Sequence, residues 1–399
     1  MSTSIPSGLE ALVKLKPGKD GAARAGHPWI FSGAIREIEG EAPAGAFVRV
    51  EAADGALLGV GTFNPRGSIA VRLLGREGEP IDASLVRTRV AEARALRADL
   101  GLIGEDTGYR LLNGEGDWLP GVVVDVYAGW AVLQILTAGA ERLREPLVEA
   151  LVAEIAPHGV YERSAGGVRH DEGLTDRIGV AWGAEPPESI EIRENGARLL
   201  VDVRAGQKTG FYLDQRSNRA LLASLASGRR VLNAFAYTGA FSVAAGLAGA
   251  AHVTSVETSG PALEAGREGW SRNGLDPERA TWVAEDVFDF LGRGDRRFDV
   301  VVLDPPPFAR HRADRDRAVR AYRDLNRRAL KAVERGGLLL TFSCSAHVPR
   351  DLFEHIVATS LGPGMRLQVL ARLGAAADHP VLAAHTEGEY LCGLLVRRT

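Results

Sequence analysis

Arg230-Val231-Leu232-Asn233-Ala234-Phe235-Ala236-Tyr237-Thr238-Gly239-Ala240-Phe241 is the stretch on which the fold turns. It reads as an apolar strand over 230–235 that passes through a glycine turn into a helix reaching Ala248. The pattern then recurs, with strands fitting 253–258, 281–284, 298–304 and 337–343 and helical sequence between them. Such alternation predicts a parallel sheet with helices on both faces. The glycine lets backbone approach a ligand beside a helix N-terminus.

The strand after the turn ends in Glu257, 18 residues beyond Gly239, where a carboxylate can accept both hydroxyls of a ribose. The next strand leads to Asp286, placed for an adenine amine. The turn lacks the full G-x-G-x-x-G of a pyrophosphate binder, which makes a dinucleotide-dependent oxidoreductase a poor fit. A cofactor without phosphates, such as S-adenosylmethionine, needs fewer glycines. The alternative is a packing glycine with two solvent-facing acids.

Two further strands carry chemistry. Val301-Val302-Leu303 leads into Asp304-Pro305-Pro306-Pro307-Phe308, and Leu339-Leu340-Thr341-Phe342-Ser343 leads into Cys344. The prolines stiffen the chain and fix the aspartate at the sheet edge. Cys344 falls at the carboxyl end of its strand, where ligands bind in such sheets. An aspartate to grip a planar base and a thiol to attack it are what C5 methylation of a pyrimidine requires. The other cysteine, Cys392, has no polar companions and reads as core. A surface aspartate and a buried structural thiol are the bland alternative.

The 399 residues predict two or three domains. With 45% apolar and 25% charged residues the chain is globular, and no apolar run of membrane-spanning length occurs. No signal-peptide core opens the sequence and no Cys/His cluster has zinc spacing, so the expectation is a cytoplasmic protein without a metal site. The net charge of −3 hides local asymmetry: residues 310–335 hold ten Lys/Arg against four Asp/Glu. Residues 1–75 read as short glycine-broken strands of a small β-barrel, among them 47–51, 57–63 and 69–74. Residues 76–189 read as a central α+β domain, with helices over 84–100 and 141–156 and strands over 121–127, 130–136 and 159–162. Gly183 to Ser189 reads as a linker, and 190–399 as the catalytic α/β domain.

Five motifs occur in order: Gly206-Gln207-Lys208-Thr209-Gly210-Phe211-Tyr212-Leu213-Asp214-Gln215-Arg216, the Ala-Tyr-Thr-Gly-Ala-Phe turn, Asp-Pro-Pro-Pro-Phe, Thr-Phe-Ser-Cys-Ser, and Ala377-Asp378-His379-Pro380-Val381. Together they resemble the bacterial large-subunit ribosomal RNA cytosine-C5 methyltransferases that carry an N-terminal PUA domain. His27-Pro28-Trp29-Ile30-Phe31 and Gly61-Thr62-Phe63-Asn64-Pro65-Arg66 resemble the PUA part. The resemblance implies a Rossmann-like class I methyltransferase domain, S-adenosylmethionine as donor, ribosomal RNA as substrate and a homodimer. It implies that Phe211, Asp214, Gln215 and Arg216 help close the site. Asn233, Ala234, Tyr237, Gly239 and Ala240 would line the methionine and ribose side. Glu257 would hold ribose, Asp286 adenine and Asp304 the reacting centre, with Cys344 as nucleophile.

Lys14, Lys16, Arg24, Trp29, Phe308 and Arg310 are candidate RNA contacts. One departure stands out. Better-known RNA cytosine-C5 methyltransferases place a second, releasing cysteine after the Asp-Pro-Pro-type strand, where this chain has Pro307-Phe308. The base that takes the C5 proton is therefore open. An RNA N-methyltransferase, a uridine-C5 methyltransferase and a non-catalytic RNA-binding assembly factor are the competing readings.

Overall fold

A computed structural model describes residues 8–76, 78–294, 296–309 and 311–399. Its contacts divide the chain into two units. The first comprises 1–192, 201–211 and 377–388, and the second 193–200, 212–376 and 389–399.

The second unit is built on a seven-stranded sheet. Its strands are β1 Arg230–Ala234, β2 His252–Glu257, β3 Ala280–Ala284, β4 Phe298–Leu303, β5 Val333–Ser343, β6 Leu367–Leu373 and β7 Cys392–Arg398, in the spatial order β3-β2-β1-β4-β5-β7-β6. β1 to β5 pair in parallel, and β7 enters antiparallel between β5 and β6. Helices α1 Arg216–Ala226, α2 Ala240–Leu247 and α3 Gly260–Arg272 cover one face, and α4 Val287–Gly292, α5 Arg315–Ala332 and α6 Arg350–Ala358 the other.

A strand's period of two explains why both faces are apolar. Val231, Val300, Val302, Leu340 and Phe342 pack under the first helix set. Leu232, Val301, Leu303 and Leu339 pack under the second. α5 fits its place because Ala318, Tyr322, Leu325, Ala329 and Leu330 recur at helical spacing and are all fully buried. Each such burial contributes on the order of 1.5–3 kcal/mol for the larger side chains.

The first unit holds two sheets. One has six strands in the order Trp29–Phe31, Ile69–Gly75, Leu57–Phe63, Ala46–Glu51, Ala11–Leu15 and Ile35–Gly40. The other has five, in the order Arg177–Gly183, Gly159–Ser164, Trp130–Ile135, Val122–Tyr127 and Gly108–Asn113. Helices Ala83–Asp99 and Arg144–Ile155 pack on the five-stranded sheet through Val86, Val90, Leu147 and Leu151. The single helix expected over 141–156 is two, Ala138–Arg142 and Arg144–Ile155. Pro146 has no N–H for the carbonyl four residues back, so the helix restarts just upstream of it.

Ile190–Glu194 and Ala197–Val201 pair as a short two-stranded sheet. The expected linker of 183–189 is a short connection between Arg177–Gly183 and Ile190–Glu194. No helix among the described residues is long and apolar enough to cross a membrane.

The first unit is pinned by Arg97, which is wholly buried. Its guanidinium forms a two-point pair with Asp117 at 2.6 and 2.8 Å. It also donates to the carbonyls of Arg110 and Asp378, both at 2.8 Å. Removing the cation strands the buried Asp117 carboxylate. Arg97→Ala is expected to lower stability by about 3–5 kcal/mol, seen as an earlier urea midpoint; an unchanged midpoint would show that water replaces the pair.

Candidate functional site

Register places the chemistry. Ala234 pairs with both Val256 and Leu303, Glu257 with Ala284, and Leu303 with Thr341. β1, β2, β3 and β4 therefore end at one level. Glu257 and Asp304 flank the end of β1 at the carboxyl edge, the place where such sheets bind ligands.

The turn after β1 is strained. Phe235 and Tyr237 are non-glycine residues with φ of 61° and 47°, and Gly239 has φ of 72°. Glu257 holds this turn: one carboxylate oxygen accepts from the Tyr237 N–H at 3.0 Å, the other from the N–H groups of Thr258 at 2.8 Å and Ser259 at 3.0 Å. Gly239 has a second reason to lack a side chain. A Cβ there would lie 2.8 Å from the Trp282 ring of β3. The packing reading of this glycine is thus correct, alongside its positive φ.

A fit for an S-adenosyl cofactor can be tested on this edge. Asn233 is buried at the end of β1; its Nδ2 donates to Ser242 Oγ at 2.9 Å while its Oδ1 has no partner. A buried acceptor without a donor is costly and points to a missing ligand or water. Ala234 is fully buried beside it, and Ala240 opens α2. Asp286 caps α4, its Oδ1 accepting from the N–H groups of Phe288 at 2.7 Å and Asp289 at 3.2 Å. The donors and acceptors suit an uncharged ribose and a planar amine. Among the described residues, no group of three His, Cys, Asp or Glu side chains is arranged to hold a metal ion.

Asp304 is half-buried, and its Oδ2 accepts from Gln215 Nε2 at 2.9 Å. Gln215 is itself fixed, its Oε1 accepting from Asn218 Nδ2 at 2.6 Å, which also donates to the Gly374 carbonyl at 3.0 Å. The preceding Asp214 accepts from the Tyr390 hydroxyl at 2.6 Å. Arg216 lies 3.7 Å from Glu194, which Arg219 grips at two points, both 2.6 Å. Phe211 is buried and falls in the first unit, while Asp214, Gln215 and Arg216 fall in the second.

Cys344 is half-buried, with its Sγ 3.8 Å from the Pro305 carbonyl oxygen. The thiol thus lies against the Asp-Pro-Pro turn. Ser345 ties that turn down: its Oγ accepts from the N–H groups of Phe308 at 3.1 Å and Ala309 at 3.3 Å and lies 2.9 Å from the Tyr322 hydroxyl. Burial raises Tyr322 to about 12, so that hydroxyl stays protonated. Cys392 is core, as expected, and burial lifts its thiol to about 11. Burial also raises the Tyr212 phenol far above its usual range, with the charges of Asp304 and Cys344 next in importance. The Tyr212 ring stands edge-on to Tyr237, centroids 5.4 Å apart.

Tyr212, Asn218, Ser345, Tyr322 and Tyr390 are site residues that sequence reasoning missed. Tyr212 and Ser345 carried a signal, since they lie inside the quoted Gly206–Arg216 and Thr-Phe-Ser-Cys-Ser motifs; the other three did not.

The RNA candidates are placed as follows. Lys14 pairs with Glu39 and lies 3.7 Å from Glu37. Lys16 donates to the Gly33 carbonyl at 2.9 Å. Arg24 pairs with Asp20 at 2.5 Å and Asp54 at 2.8 Å. The Trp29 indole donates to Glu115 at 2.8 Å and its ring packs on His385 at 4.4 Å. Phe308 packs on Tyr322, centroids 4.7 Å apart. Arg310 lies outside the described residues. Along α5, Arg320, Arg323 and Arg327 share one flank at i, i+3 and i+7 and have no ion-pair partner among the described residues.

Comparison with known proteins fits this geometry. A family model described as S-adenosylmethionine-dependent methyltransferase matches residues 150–384, and one for a PUA-like domain matches 13–76. A protein of Alteromonas mediterranea named Ribosomal RNA large subunit methyltransferase I is 41% identical over 396 residues, covering 98% of this chain and 100% of the relative. A protein of the same name from Shewanella frigidimarina is 42% identical over 391 residues, covering 96% and 98%. Among solved structures, a candidate S-adenosylmethionine-dependent methyltransferase from Streptococcus mutans superposes with TM-score 0.83 at 22% identity, covering 97% of this chain and 99% of the other. Another methyltransferase-like protein, solved with SAH, gives 0.84 at 23% identity, covering 98% and 100%. At these identities the two structures establish the fold.

Proposed function

This chain belongs to the S-adenosylmethionine-dependent methyltransferase family, and on that premise we propose that it methylates C5 of a cytosine in large-subunit ribosomal RNA. The observation that carries the reading is the Cys344 thiol lying against the turn that presents Asp304. The names of its relatives support ribosomal RNA as the substrate.

S-adenosylmethionine supplies, when bound, an electrophilic methyl group on a sulfonium. Asn233, Glu257 and Asp286 would hold it, with Ala234, Tyr237, Gly239 and Ala240 shaping the wall. Phe211, Asp214, Gln215 and Arg216 would close the site. The residues of the chain do the rest. Cytosine C5 is a poor nucleophile. Attack of the Cys344 thiolate on C6 breaks the C5–C6 double bond and makes C5 enamine-like. Asp304, held by Gln215, bonds the N3/N4 edge of the base and stabilises the protonated ring as attack proceeds. After methylation the C5 proton passes to a base, and the electron pair of that C–H bond restores the double bond as the thiolate leaves C6. Water or a carboxylate is the candidate acceptor, since Pro307-Phe308 stands where a second cysteine would directly follow the Asp-Pro-Pro.

The target base must be unpaired or flipped out to meet this pair. Residues 1–75, with Lys14, Lys16, Arg24 and Trp29, would form the RNA-docking module. Residues 76–189 would be a middle domain and 190–399 the catalytic one. Arg320, Arg323 and Arg327 would contact phosphates, and Arg310 and Phe308 the RNA near the target. The protein would act in the cytoplasm as a homodimer.

The decisive experiment is transfer of labelled methyl from S-adenosylmethionine to protein-free large-subunit ribosomal RNA, followed by digestion to nucleosides. Label is expected in 5-methylcytidine. Label in 5-methyluridine or in an N-methylated base would overturn the cytosine reading. A separate expectation concerns the cofactor: Glu257→Ala should weaken its binding about tenfold or more in calorimetry, the worth of one charge-assisted contact, with RNA affinity little changed. Equal loss of both would remove Glu257 from the assigned role.

A further inference from the structure

A polar seam runs through the otherwise apolar core between β5 and α5. The Thr341 hydroxyl lies 2.8 Å from Asn326 Oδ1 and donates to it. Asn326 Nδ2 donates to the carbonyl of Tyr322, one helical turn before it, at 2.8 Å. The Tyr322 hydroxyl lies 2.9 Å from Ser345 Oγ. All four side chains are buried, in a core that also holds Leu325, Ala329, Leu339 and Phe353. Buried polar groups cost stability unless they are bonded, and apolar side chains of the same shape would fill this space as well. The seam therefore calls for a role other than stability. Cys344, next to Ser345, packs with Phe342 on the opposite side of the sheet, under α1 to α3.

We propose that the Tyr322 hydroxyl, acting through Ser345, is a positioning group that holds the Cys344 thiol and the Asp304 turn in register with each other. The inference rests on the thiol mechanism proposed above. Pro305, Pro306 and Pro307 have no N–H, so the turn after Asp304 has no backbone donor before Phe308. The first two donors, the N–H groups of Phe308 and Ala309, both go to Ser345 Oγ, at 3.1 and 3.3 Å. The N–H of Ser345 itself donates to Ser343 Oγ at 3.3 Å, bracketing the nucleophile. One hydroxyl thus joins the chain that carries the thiol to the turn that carries the aspartate. With both lone pairs of Ser345 Oγ accepting, its proton is the group left for Tyr322, and that bond sets where the lone pairs point. Tyr322 is a fixed post, its ring packed on Phe308 and Phe353 at centroid distances of 4.7 and 5.7 Å. Misplacing a reacting group by about 1 Å costs about 10²-fold in rate.

The test is single-turnover methyl transfer to large-subunit ribosomal RNA with the full-length chain. Tyr322→Phe removes one oxygen and keeps the ring. Its rate at saturating RNA should fall about 10–100-fold. The RNA concentration giving half the maximal rate, and the affinity for S-adenosylmethionine, should stay within about twofold of wild type. Ser345→Ala breaks the same link and should lose as much. The double variant should lose no more than the worse single one, the non-additivity of groups that act as a unit. Thr341→Val is the control: it cuts the same seam at Asn326 and lowers the urea midpoint, yet should keep the wild-type rate. If Tyr322→Phe does not fold, Ser345→Ala set against Thr341→Val decides the matter. An equal fall in Thr341→Val, a loss confined to RNA affinity, or losses that multiply in the double variant overturn the proposal. Wild-type rates for Tyr322→Phe and Ser345→Ala, in an enzyme that Cys344→Ala inactivates, remove the positioning role alone. Transfer that survives Cys344→Ala removes the thiol mechanism and this inference with it.

Discussion

Cys344→Ala is expected to abolish methyl transfer, with a loss of at least about 10³-fold in the single-turnover rate, on the scale seen when a covalent nucleophile is removed. No other thiol can substitute. Cys392 is buried and its pKa near 11 leaves only about one part in ten thousand ionised at neutral pH. Cofactor affinity should survive, because Asn233 and Glu257 sit on other strands and Asp286 caps α4. The assay is labelled-methyl transfer to ribosomal RNA, with cofactor binding measured in parallel. Undiminished transfer would leave a methyltransferase but sink the thiol mechanism, turning the reading toward N-methylation, where an Asp-Pro-Pro suffices without a cysteine.

Asp304→Asn should be nearly as severe, about 10²–10⁴-fold in rate. The substitution keeps the shape and the hydrogen bond from Gln215 but removes the carboxylate that stabilises the protonated ring as Cys344 adds to it. The loss should therefore fall on the rate at saturating RNA rather than on RNA affinity. Gln215→Ala is the companion variant: it leaves the carboxylate and removes its anchor, so a smaller loss is expected. Asp304→Asn with full rate and weakened RNA binding would recast Asp304 as a docking residue.

The catalytic half was legible because parallel strands buried on both faces are nearly continuous apolar runs. The runs ending at Ala234, Glu257, Leu303 and Ser343 announce themselves, and so do the residues that follow them. What the sequence hid were elements whose identity depends on neighbours. β6 is an exposed edge, its Val369 and Leu370 each more than half accessible, and alternation fails where a bulge interrupts it. The strands Ala11–Leu15 and Trp29–Phe31 are too short to show a period. The site divides the same way. Asp304 and Cys344 follow from strand ends. Their supports follow only in part: Gln215 and Ser345 fall inside quoted motifs, Asn218 and Tyr390 do not, and the contacts join segments up to 176 residues apart, as in the Asp214–Tyr390 bond. The role of Trp282 in excluding a side chain at Gly239 is equally invisible without coordinates.

The left-handed turn after β1 has a consequence for anyone who would make this protein hardier. Phe235 and Tyr237 sit two residues apart in a conformation that costs side-chain-bearing residues on the order of 1–3 kcal/mol each. A laboratory selection that rewards heat resistance alone would trade them for glycine or asparagine and gain stability at both positions. The survivors would have lost the Tyr237 ring that meets Tyr212. Screens for robust variants should therefore hold these two codons fixed and seek their gains elsewhere in the chain.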